Sequence, residues 1–112
     1  MTTSRNSLLA LTIETVPGRD ITEVLGIVKG STVRAKHVGA DIAASLRNLV
    51  GGEVREYAQL LAGAREQAMD RMIEDARTLG ADAIVGVRMQ TSAIQNGASE
   101  VVFYGTAVKL SA

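Results

Sequence analysis

From Glu53 to Leu79 the chain repeats apolar residues at every third or fourth position without a proline, and no other stretch is as long or as regular. Val54, Tyr57, Ala58, Leu61, Ala64, Ala68, Met72, Ala76 and Leu79 fall on one side of a helical period, and Gln59, Glu66, Asp70, Glu74 and Arg77 fall opposite. A helix of this extent is roughly 40 Å long. Because its apolar residues form a stripe, it must lie against another layer. Gly80 stands where left-handed backbone would end it. Gly63 weakens its middle by about 1 kcal/mol relative to Ala, which predicts a close packing contact there.

Short strand patterns flank this helix. Leu8 to Glu14 alternates and reads as a first strand, ended by Val16-Pro17-Gly18-Arg19-Asp20, where Pro followed by Gly suits a type II turn. Glu23 to Arg34 reads as a second strand, and Gly26 and Gly30 inside it predict a bulge or a close backbone approach. Asp41 to Val50 reads as a short helix with Asp41 as its N-cap, joined to the long helix through Gly51-Gly52. Ala83 to Thr91 and Glu100 to Leu110 form a hairpin around Asn96-Gly97, both of which accept the positive φ of a type I′ turn. The order β-β-α-α-β-β defines an α+β fold, one long helix against a small, mainly antiparallel sheet. Residues 1–112 make one domain, with 1–6 a polar, frayed tail.

The last strand is apolar on both faces: Val102, Tyr104, Thr106, Val108 and Leu110 on one, Val101, Phe103, Gly105 and Ala107 on the other. That pattern belongs to a strand covered twice. Two helices cover one face of so small a sheet, so copies of the same chain are expected on the second. The face carrying Val101, Phe103 and Ala107 is the expected interface.

Composition narrows the function classes. Formal net charge is zero, against the excess of Lys and Arg that general nucleic-acid binding needs. There is no cysteine, so disulfides and thiolate metal cages are excluded and a reducing cytoplasm is expected. No apolar run reaches the roughly 20 residues of a membrane span, and no signal peptide is expected.

Two clusters carry candidate chemistry. Arg34 and Lys36 share one side of an extended strand end and, with Arg47 nearby in sequence, make an anion or small-molecule site, expected at a subunit junction. His37 is the sole imidazole, and with Asp41, Glu53 and Glu56 it is the weak candidate set for a metal ion. Glu66, Asp70 and Glu74 form a row at helical spacing with Arg65, Arg71 and Arg77 close by, an ion-paired solvated face. No nucleophile, phosphate-loop or zinc-protease motif occurs, and no catalysis is expected.

Thr15-Val16-Pro17-Gly18-Arg19, Gly39-Ala40-Asp41-Ile42, Arg47-Asn48-Leu49-Val50-Gly51-Gly52-Glu53, Leu79-Gly80-Ala81-Asp82-Ala83-Ile84-Val85-Gly86 and Tyr104-Gly105-Thr106-Ala107-Val108 follow one another in order. In this series, from about residue 11 to residue 110, the chain closely resembles the YbjQ-like family. The resemblance implies an α+β subunit that closes into a homo-oligomeric ring, thought to be pentameric, and brings the family label "putative heavy-metal-binding". It implies no catalytic residues.

Overall fold

The computed structural model describes residues 8–35, 52–93 and 98–112, with side chains for all of these except 35, 52–61 and 98. The elements run β1 (Leu9–Ala10), β2 (Ile21–Ala35), α1 (Gly52–Thr78), β3 (Ala83–Ala93) and β4 (Ala98–Leu110). The strands form one mixed sheet in the order β1-β3-β4-β2. β2 and β3 each pair antiparallel with the central β4, and β1 runs parallel to β3. The predicted short helix over Asp41–Val50, Gly51 and the Asn96-Gly97 turn lie outside the described residues.

Over residues 62–78, where its side chains are described, α1 follows its sequence pattern. Ala64, Ala68, Met72 and Ala76 are buried, joined by Ile73, which the simple stripe left out. Its end is a complete Schellman motif: Gly80 takes φ +76°, its N–H donates to the Arg77 carbonyl (3.0 Å), and the Ala81 N–H donates to the Ala76 carbonyl (3.2 Å). The helix therefore stops one residue short of Leu79, which is exposed rather than part of the buried stripe.

The two glycines of β2 serve different ends. At Gly26 (φ +125°) the register with β4 shifts, so a bulge sits there. Gly30 faces the helix, and a Cβ on it would collide with the Ala68 carbonyl oxygen and the Met72 amide nitrogen. The close approach predicted at Gly63 is absent: it is exposed, with nothing near the position of a Cβ. The tight helix contact is thus made through a sheet glycine, not a helix glycine.

The first strand is shorter than predicted. After Ala10 the chain leaves regular pairing but stays beside β3 through Leu11 N–H to Ile84 (2.8 Å), Val87 N–H to Leu11 (2.9 Å) and Gly86 N–H to Ile13 (2.9 Å). Opposite this stretch β3 carries a register break with β4 between Val85 and Arg88, where Gly86 takes φ +63°. The Val16–Arg19 turn forms as expected, with the Arg19 N–H donating to the Val16 carbonyl (3.1 Å).

Two buried clusters result. Val28, Met72, Ile73, Ala76, Ile84, Val87 and Ala107 fill the space between sheet and helix, with Phe103 and Leu25 packed against them. Val16, Ala83, Val85, Val108 and Leu110 form a second cluster on the opposite face, with Leu11 and Ile21 packed on it. The expected interface face is thereby corrected: Phe103 and Ala107 face α1 within the subunit, and Val101 is buried too. The other face of β4 is covered by the chain's own 11–21 segment at one end.

Candidate functional site

A polar seam joins α1 to the outer side of β2. Gln67, Arg71 and Asp75 recur every four residues and so form one row along the helix. Asp75 Oδ2 accepts from the Lys29 N–H (3.2 Å), Arg71 Nη1 donates to the Ser31 carbonyl (2.7 Å), and Arg34 Nη2 donates to Gln67 Oε1 (3.0 Å). Moving up the helix from residue 67 to 75 moves down the strand from 34 to 29, so the two run antiparallel. β2 is the edge of the sheet. The Arg71 and Asp75 bonds occupy backbone groups that an edge strand otherwise offers to other chains.

The upper end of the seam holds two polar groups without partners among the described residues. Thr32 is 2% exposed and its hydroxyl is unbonded. Arg34 Nε is buried and unbonded, although Nη2 of the same guanidinium is held by Gln67. Thr32 and Arg34 continue the helix-facing row of Val28 and Gly30, since successive alternate residues of a strand share a face.

Of the sequence-predicted site residues, Arg34 is placed in this seam. Lys36, His37, Asp41 and Arg47 lie outside the described residues. Glu53 and Glu56 belong to the first two turns of α1. Among the described residues no three His, Cys, Asp or Glu side chains converge as metal ligands. Glu74 pairs with Arg77 Nη1 at 2.5 Å, in keeping with the solvated face read from the sequence. Sequence reasoning missed Thr32 and Gln67. Period-two spacing from Arg34 marks Thr32, and four-residue spacing from Arg71 marks Gln67, but only the docked pair of elements brings them together.

The face of the sheet turned away from α1 is the second feature. Ile27 lies opposite Thr106, Lys29 opposite Tyr104, Ser31 opposite Val102 and Val33 opposite Glu100. On this face Val24, Ile27 and Val33 are 65%, 77% and 54% exposed, and Tyr104 is exposed beside them. Lys29, Arg88 and Gln90 border the apolar residues. No helix of the described residues is long and apolar enough to cross a membrane.

A long helix clamped along the edge of a mixed four-stranded sheet, with an apolar face left open behind it, defines a small two-layer α+β class. The chain belongs to the YbjQ family, whose description is "putative heavy-metal-binding" and whose model matches residues 8–111. A UPF0145 protein of Halobacterium salinarum is 58% identical over 101 residues, covering 90% of this chain and 97% of that one. UPF0145 proteins of Archaeoglobus fulgidus and Thermus thermophilus are each 55% identical over 103 residues. These matches cover 92% of this chain and 95% and 90% of the two relatives, respectively. The same fold occurs in the crystal structure of a protein of unknown function from Pediococcus pentosaceus, of the DUF74 family. Its TM-score is 0.62 at 16% identity, over 93% of this chain and 98% of that one.

Proposed function

We propose that the protein is a non-catalytic, cytoplasmic assembly module whose working form is a homo-oligomer, with a closed ring of five favoured by the family resemblance. The observation that carries this reading is the outward row Val24, Ile27 and Val33, large apolar side chains more than half exposed on the sheet face away from the helix. Burying side chains of this size is worth roughly 1.5–3 kcal/mol each, and symmetry repeats that gain at every junction. The occupant we propose for this face is a second copy, as the family resemblance implies, and Arg71 and Asp75 already occupy the Ser31 carbonyl and Lys29 N–H at the edge of the strand that carries the row.

The family description also suggests heavy-metal binding. The donor set of this chain does not fit a soft ion: it has no thiolate and a single imidazole. The assembly reading therefore comes first.

Light scattering after size exclusion tests it. The wild type should elute as a multiple of 11.8 kDa. Ile27→Asp, at a position already in solvent, should shift it to the single-chain mass while keeping the circular dichroism of the fold. A wild type that runs as one chain at micromolar concentration overturns the proposal.

A further inference from the structure

We infer that the upper end of the helix–strand seam is a binding site for a small oxyanion, a phosphate or carboxylate group, held by the Thr32 hydroxyl and the Arg34 Nε–H. The inference stands apart from the assembly reading. Three observations carry it. First, Thr32 is all but fully buried and its hydroxyl has no partner among the described residues. Native proteins bond the great majority of such groups. Second, Arg34 Nε is buried and also unbonded, while Gln67 holds Nη2 of the same guanidinium and so fixes the plane in which Nε–H points. The partner of Arg34 is a neutral amide, so among the described residues its charge is not matched by a carboxylate in that contact. Third, the two unspent groups lie on the same face of one strand, two residues apart, which is about 7 Å of chain. A long guanidinium arm and one multi-oxygen group bridge that span.

The chemistry of the groups selects the ligand. Nε–H of arginine donates only, and a threonine hydroxyl donates or accepts. Their common complement is an acceptor with at least two oxygens, and the permanent positive charge of the guanidinium favours an anion over water. Arg71, one turn from Gln67 on the same row of α1, is held on the Ser31 carbonyl, next to Thr32 in the chain. Both atoms are buried, so binding is expected to need a local opening of the seam and to be selective for small groups.

The test uses the full chain and inorganic phosphate. Melting temperature is followed as phosphate is titrated at constant ionic strength against sodium chloride, with sodium acetate as a parallel arm that separates a phosphoryl from a carboxylate source. Binding is measured by calorimetry. A saturable rise with either oxyanion, absent with chloride, is the expected result. Arg34→Lys, which keeps the charge but not the planar fork, should weaken it at least tenfold. Thr32→Val, nearly the same shape without the hydroxyl, should weaken it several-fold and remain folded, so the test survives if the arginine variant does not fold. Equal responses to phosphate, acetate and chloride would overturn the inference. So would a phosphate response that persists unchanged in Thr32→Val, which would mark an adventitious ion only.

Discussion

Gly30 and Gly63 both interrupt regular elements, and the physical reason for each differs, so substitution should act with opposite sign. At Gly30 a methyl group has nowhere to go but into helix backbone, the Ala68 carbonyl and the Met72 amide. Backbone cannot rotate aside as a side-chain tip can, so Gly30→Ala must push α1 off the sheet. Overpacking of this kind costs about 2–3 kcal/mol. At Gly63 a methyl group meets nothing. Gly63→Ala should therefore gain about 1 kcal/mol through helix propensity and a less flexible unfolded chain. Urea midpoints of the two variants check both signs, and a loss at Gly63 would show that the helix makes a contact there after all. Sequence alone marked both positions as special but could not say which glycine sits at the crossing, because that depends on how two elements distant in the chain are superposed. The end of α1 at Gly80, by contrast, was legible, since a helix cap is decided by residues within one turn. Thr32 was not: its meaning as a buried orphan exists only once the helix lies over it.

At the level of elements, the seam between α1 and β2 explains how a long edge strand is tolerated. Asp75 and Arg71 bond the Lys29 N–H and the Ser31 carbonyl, one on each side of the crossing at Gly30. Removing either partner leaves one backbone group to solvent and loosens the helix, at a cost of about 1 kcal/mol in a contact this exposed. Together, Arg71→Met and Asp75→Ala should cost more than the sum of the two singles, because both hold the same docked helix. The doubly substituted chain should also scatter more light on partial unfolding, since its edge is freed for strand addition. A strictly additive double variant with unchanged aggregation would mean that packing at Met72 and Ala76, not the seam, holds the helix. The sheet was readable as strands for the same reason that the helix was, through period. Its pairing was not. The parallel placement of β1 on β3 is set by residues more than seventy positions apart, and the bulge in β3 by its pairing with β4. The alternation of β4 revealed two apolar faces without saying which one the helix takes.

For the whole molecule that choice of face matters most. With Phe103 and Ala107 turned toward α1, Phe103→Asp would damage the core of the subunit and say nothing about assembly. The informative position is Ile27, on the opposite face and 77% exposed. If assembly and folding are linked, as they are when subunits share a buried face, the melting temperature depends on protein concentration by mass action. Each tenfold dilution of the wild type should then remove about 1 kcal/mol of apparent stability and a few degrees of melting temperature. Ile27→Asp should melt lower than the wild type at high concentration and show no such dependence, because its unit is the single chain. The two curves should converge as the wild type is diluted. Wild-type melting that holds constant across about a hundredfold dilution, together with an Ile27→Asp curve that overlays it, would place the exposed row outside any interface. It would leave the helix-covered sheet as a stable single chain, held by the cluster around Met72 and Ile84.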